Sequence, residues 1–374
     1  MQNPLNADNE VSVGITSDTA QFQEGIGGAE DALLSFKGAI GAAGTALAGL
    51  SAGALASSIQ QFTRFEDQMI QIEKVVGEGV ARGLKDDIQT LNEAMPTTQT
   101  QLTGIAEVAG RLGIEGRSSI KRFTKVVAQL SEATNIASKN AAEGFARIAT
   151  LTKEPISNIR SLGDVVNRLS NNMGASASEI VDSMTRASGT LTSLGLTTEE
   201  IAGVTAAVNE VSSSSRLAGT QLRRLGQEVQ GLSDGDAETL ADALGMNVEQ
   251  FEKLAEENPN ELLLELSETM EEGGEQADTL REVFSTTSRQ VLTKLGSNLK
   301  QVKRAQDSAN REMESGSSLV EEYQKSTEST ASQFEIFKSR IQSVQTAIGE
   351  TLSPAIDTVL GGFNSLLKRV CSFR

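Results

Sequence analysis

The chain has 374 residues, a formal net charge of -17 and no histidine. Without histidine, neither Ser-His-Asp nor Cys-His arrangements can be assembled, and the usual His-containing zinc sites are ruled out. No basic excess is present to replace phosphate counterions, which argues against sequence-specific nucleic-acid binding. Aromatic residues make up only 3 % of the chain, with one Tyr and no Trp. Any core must therefore be built from Ala, Leu, Ile and Val, a palette that suits helices packed at short distance better than sandwiches or barrels. Five prolines leave long helices barely interrupted, and the length permits two or three domains.

The first residues, MQNPLNADNE, are polar and lack the charged and apolar pattern of a secretory signal. Residues 10–17, EVSVGITS, alternate Val11, Val13 and Ile15 with polar residues, which predicts a short half-buried strand. Phe22, Ile26, Ala29, Leu33 and Phe36 then recur at helical spacing. Between Lys37 and Arg64 no charged side chain occurs. At about 1.5 Å per residue, a helix over 38–63 reaches across a bilayer core of roughly 30 Å. Its small side chains give a low hydrophobic gain, and Gly49 and Gly53 form a GxxxG pattern flanked by Leu47, Leu50 and Leu55. This segment suits a tight helical bundle or a membrane.

From Phe65 to about Leu299 the pattern changes. Leu-Gly pairs at Leu112-Gly113, Leu162-Gly163, Leu194-Gly195, Leu225-Gly226, Leu244-Gly245 and Leu295-Gly296 are plausible helix stops. Capping boxes are expected at Thr98…Gln101, Ser176…Glu179, Thr197…Glu200 and Asn247…Gln250. This region reads as a compact set of helices joined by tight turns. Basic pairs such as Lys121-Arg122 and Arg223-Arg224 read as solvated helix faces. Carboxylate pairs such as Glu199-Glu200 and Glu271-Glu272 have helix-start and surface roles, and none is marked as an acid/base pair.

Beyond Gln301 the glycines thin out. Phe334, Phe337, Ile341, Val344 and Ile348 alternate steps of three and four, the seam of a coiled coil. The same phase runs back through Tyr323, Val320, Met313, Val302, Leu299, Leu295 and Leu292, interrupted by Gln306, Gly316, Thr327 and Thr330. The competing reading is one amphipathic helix packed on its own chain. After Pro354, Ile356, Val359, Leu360, Phe363, Leu366 and Leu367 form an apolar stripe beside Lys368-Arg369, an amphipathic helix suited to a core, a partner or a membrane surface. Cys371 is alone, so no disulfide framework exists within the chain.

In this order the segments resemble the tape measure proteins of tailed phages and related archaeal viruses, in particular those with a core region near the N-terminus. VSVGITSDTAQFQEGIGGAEDALLSFKG looks like that family's opening, and a Gly/Ala-rich apolar helix follows it. FEDQMIQIEKVVG (65–77), LTGIAEVAGRLGIEG (102–116), ATNIASKNAAEGFARIATL (133–151) and LTTEEIAGVTAAVNEVSSSSRLAGTQLRRL (196–225) follow the order of its core. QFEIFKSRIQSVQTAIGETLSPAIDTVLGGFNSLL (333–367) is similar to the helix pair after it. Members of the family usually run further, with long coiled coils. The resemblance implies a non-enzymatic virion protein in the tail tube lumen, without cofactor or metal. Its role would be to set tube length during assembly and to leave ahead of the DNA. The implied partners are further copies of itself (a trimer or hexamer), tail tube and tail tip proteins, assembly chaperones and a host membrane on delivery.

The expected fold is mainly α. It comprises an arm over 1–64 with the strand and the apolar helix, a helical core over 65–299, a coiled-coil-like helix over 300–353 and an amphipathic helix over 354–374. Three other readings compete with the resemblance. They are a membrane-active pore or injection component working through 38–63 and 354–370, a cellular coiled-coil scaffold, and a carboxylate-only enzyme such as a wall-degrading one.

Overall fold

The computed structural model describes residues 52–134 and 136–371. They form a mainly α fold, and no strand occurs among them. The strand expected over 10–17 and most of the apolar helix over 38–63 lie outside the described residues. The helices are α1 (Ala52–Val76), α2 (Glu78–Ala94), α3 (Gln99–Arg111), α4 (Arg117–Thr134), α5 (Ser138–Thr152), α6 (Ile159–Asn172), α7 (Ala177–Leu194) and α8 (Thr198–Glu210). They continue as α9 (Ser215–Gln230), α10 (Asp234–Ala243), α11 (Val248–Glu257), α12 (Pro259–Glu272), α13 (Gly274–Val283) and α14 (Thr286–Gly296). The last three are α15 (Leu299–Ser315), α16 (Ser318–Thr327) and α17 (Thr330–Cys371).

Local sequence sets many of these boundaries. All four expected capping boxes form, at Thr98, Ser176, Thr197 and Asn247. A fifth joins Ser233 to Asp236. In each, the cap side chain accepts from the backbone N–H three residues on, and that residue's side chain accepts from the cap N–H. Two of the helix's otherwise orphaned donors are thereby satisfied.

The Leu-Gly pairs divide into two kinds. Gly195 ends α7 at φ +110, a left-handed conformation that glycine adopts without strain, and Gly113 and Gly245 stop helices in the same way. Gly163 and Gly226 lie inside α6 and α9 instead, and Gly296 is the last residue of α14. At Gly163 a Cβ would lie 2.8 Å from Leu319 Cδ2, and at Gly226 it would lie 3.0 Å from Thr190 Cγ2. These glycines serve close helix approach, not helix termination.

Two compact units are present. The larger spans Phe65–Ser343. Within it α7 packs on α5, α8 and α9, and α15 packs on both α6 and α8. Small residues set the spacing. A Cβ on Gly203 of α8 would lie 2.8 Å from the backbone nitrogen of Gln306 on α15, and one on Gly219 of α9 would lie 2.7 Å from the Ser183 carbonyl of α7. Asp87 of α2 takes Arg117 Nε at 2.6 Å and Lys121 Nζ at 2.7 Å from α4, with the Arg117 bond the main reason its carboxyl is held below its ordinary value. Lys121, Arg122, Arg223 and Arg224 are all exposed, as expected of solvated faces, and Lys121 also reaches the buried Asp87 carboxylate while Arg224 pairs with Glu228.

The smaller unit comprises residues 1–64 and 344–374. Its described part brings α1 and α17 together through Gly349, whose missing Cβ would lie 2.6 Å from the Ser58 carbonyl. Gln345 Nε2 donates to Ser57 Oγ at 3.2 Å.

The expected single helix over 300–353 is instead three helices. The breaks fall at Gly316 and at Glu328–Ser329, where Ser329 Oγ accepts from Ser332 N. Leu292, Leu295 and Val302 are buried in the core of the larger unit, and Leu299, Met313 and Tyr323 pack against it, so the backward extension of the heptad marks core positions. Pro354 does not start a helix either, because α17 runs through it. A proline inside a helix removes one backbone donor, and here its ring is exposed to solvent.

Candidate interaction surface

The most unusual feature of the larger unit is the orientation of α17. Its polar row, not its apolar row, faces inward. Ser339 is 2 % exposed and Ser343 is 6 % exposed, whereas Phe334 is 63 %, Phe337 58 % and Ile341 44 % exposed. Val344, the next residue of that row, is 59 % exposed, and Ile348 is half-buried. Burying a Phe or Ile side chain is worth about 1.5–3 kcal/mol, so this row leaves a large apolar gain unrealised in a single chain.

What holds the polar row inward is α2. Asn92 Nδ2 donates to the Ser339 carbonyl and to Ser343 Oγ, each at 2.9 Å, and Arg340 Nε donates to the Glu93 carbonyl at 3.1 Å. A matching arrangement fixes the start of α16. Asn167 Nδ2 of α6 donates to the Ser318 carbonyl at 3.0 Å and to its Oγ at 2.8 Å. Leu319 N donates to Asp164 Oδ1 at 2.8 Å. Glu312 of α15 accepts from Arg168 Nε at 2.7 Å and from Ser318 N at 3.4 Å.

Both asparagines are buried, yet neither Oδ1 has a partner among the described residues. Asn209, inside the core, differs: Ser183 Oγ lies within reach of both its Oδ1 and its Nδ2, and Nδ2 also donates to the Thr205 carbonyl.

The charges along this junction are acidic. Burial pushes the Asp164 carboxyl above its ordinary value. The Leu319 N–H and Arg160 act against that shift, and Glu312 and Glu321 add to it. Burial also raises Glu132 of α4, against the Thr97 hydroxyl and with help from Glu335 of α17. The Tyr323 phenol of α16 is pushed up to about 12, mainly by burial and further by Glu132. No sequence motif marks Asn92, Asp164 or Asn167. Their role depends on which helix comes to lie opposite them.

The chain's acidic excess sits elsewhere. Residues 234–282, from α10 to α13, hold sixteen Asp and Glu against Lys253 and Arg281. Of the other expected positions, Leu47, Gly49 and Leu50 lie outside the described residues. Gly53 and Leu55 fall in α1, and Ile356, Val359, Leu360, Phe363, Leu366 and Leu367 fall in α17, with their side chains outside the described set. Among the described residues no helix is long and apolar enough to cross a membrane, and no cluster of metal-ligating side chains occurs.

A family model described as phage-related minor tail protein matches residues 85–286. The chain belongs to that family. Neither a curated protein nor a solved structure gives a significant match. As a phage-related minor tail protein, it is a structural component of the virion tail, and its neighbours are other tail components. The matched stretch begins within α2 and ends at the first residue of α14. It therefore includes Asn92, Asp164 and Asn167, which hold α16 and α17, and leaves out those two helices themselves.

Proposed function

We propose that this tail protein is a tape measure protein. In this reading it lies in the tail tube lumen, helps to set tube length during assembly, and leaves the tube to assist genome delivery. It carries out no catalysis. Its copies associate with one another, as a trimer or hexamer, along Phe334, Phe337, Ile341, Val344 and Ile348. Tube and tip proteins, assembly chaperones and finally a host membrane are its further partners.

The observation that carries the reading is the outward apolar row of α17. Among the described residues nothing covers it, and steps of three and four are self-complementary between parallel copies. The family match and the order of the sequence segments support the setting in a tail. The 65–343 unit is compact, whereas α17 is a single helix whose 42 residues reach about 63 Å, which suits it to a ruler among the described elements.

Tail length in particles carrying a four-heptad duplication inserted after Thr351 tests this directly. A ruler lengthens the tail by about 42 Å. Unchanged tails on normally infectious particles contradict the proposal.

A further inference from the structure

We propose that residues 317–343, α16 with the start of α17, form a strap that leaves the helical core as one piece, and that its opening lengthens the self-pairing seam. The second half of this statement rests on the self-pairing of α17 proposed above.

Three observations support the strap. First, its hold on the core is mainly polar, with apolar contact from Leu319 and the half-buried Tyr323. Ser318, Ser339 and Ser343 face inward, and Leu319 is its one fully buried apolar side chain among the described residues. Helix α15, just before it, is anchored differently, with Val302, Ala305 and Ala309 in the core. Second, the two clasps are imperfect. Asn92 and Asn167 each use Nδ2 twice, and neither Oδ1 has a protein partner among the described residues, so each clasp uses only one side of its amide. The Asp164 carboxylate under the start of α16 also faces two other carboxylates, Glu312 and Glu321, besides Arg160. Third, the segment has somewhere to go. Residues 317–348 contain neither glycine nor proline, so the turn at Glu328–Ser329 can become helical once the strap is free.

In one continuous helix, Val320, Tyr323, Thr327, Thr330, Phe334, Phe337 and Ile341 fall in a single row at alternating steps of three and four. In the closed strap, the break after Thr327 separates Val320 and Tyr323 from that row, and Tyr323 packs against the core. Opening therefore adds two heptads, two of their positions polar, to the seam. Gly316, between α15 and α16, is the pivot.

Hydrogen exchange on the full chain tests the strap, with amide rates corrected for intrinsic exchange. At low protein concentration, residues 317–343 are expected to exchange as a block about tenfold or more faster than α4 and α7. Asn92→Ala and Asn167→Ala together should accelerate that block further and leave α7 unchanged. Exchange of the block at the rate of α7, or equal acceleration of both by the variants, overturns the strap.

Sedimentation of the same samples separates the two readings. Association together with concentration-dependent protection at Val320–Tyr323, lost in Phe334→Glu with Phe337→Glu, supports the lengthened seam. A monomer at every concentration with a fast-exchanging block overturns self-pairing and the lengthened seam, and the strap stands. A dilute monomer whose block exchanges at the core rate overturns the strap, and self-pairing stands if the chain associates at higher concentration.

Discussion

Helix α8 and the first half of α17 bury their surfaces by opposite means. α8 is buried on nearly all sides through its own Ile201, Ala202, Val204, Ala206, Ala207 and Val208, with Gly203 letting α15 approach closely. α17 turns serines inward and phenylalanines outward. The first arrangement gains from apolar burial and close packing, contributions that hold in any state of the chain. The second depends on a few directed hydrogen bonds. The contrast separates an apolar core from a segment held by a few polar contacts.

The largest effect that would sharpen the contrast is truncation of matched side chains. Phe123→Ala, at a fully buried position of α4, is expected to lower unfolding stability by about 3–5 kcal/mol in denaturant titration. Phe337→Ala should change the monomer by no more than about 0.5 kcal/mol. Equal losses would mean that the phenylalanine row is already buried, which would break the comparison.

Gly203→Ala comes next. A Cβ there meets the Gln306 backbone, so α8 and α15 must separate, at a cost of about 1–3 kcal/mol measured the same way. A neutral result would show that this crossing has slack.

The smallest effect is one of pH. Asp164 and Glu132 are raised above ordinary values of 3.8 and 4.5 because burial disfavours their charge. Their ionised forms therefore weaken the strap's hold near neutrality. That penalty is relieved as pH falls through the raised values toward the ordinary ones. Exchange of 317–343 relative to α7 is thus expected to slow on mild acidification. Asp164→Asn, which keeps an acceptor for Leu319 N–H, should flatten the trend. Asp87, Asp182 and Glu228 are held below their ordinary values, so their contribution is present above those values and lost as pH falls through the lowered ones. A strap that loosens before that lower range is reached would contradict this assignment.

What the sequence disclosed follows from range. The capping boxes are decided within four residues, and all four that were expected form. Ser233…Asp236 obeys the same logic with a shorter acid at the third position. The Leu-Gly pairs were only half legible. A glycine admits a left-handed turn and a close helix crossing equally well, and the choice at Gly163 rests on Leu319, far along the chain. The row Phe334–Val344 was visible as a period, but a period does not say which face meets the core. Asn92 and Asn167 carry no local signal, because a buried clasp is defined by the helix opposite it. Pro354 was read as a boundary from its usual cost in helices, and the surrounding helix absorbs that cost.

The central claim is that α17 turns its apolar row outward to meet a second copy. Cysteine cross-linking in a Cys371→Ser background measures it, with Phe337→Cys on the exposed row and Ser339→Cys on the buried one. The account predicts that mild oxidation links chains through Phe337→Cys and leaves Ser339→Cys monomeric. Linking through Ser339→Cys at the same rate, or none through Phe337→Cys, would contradict it.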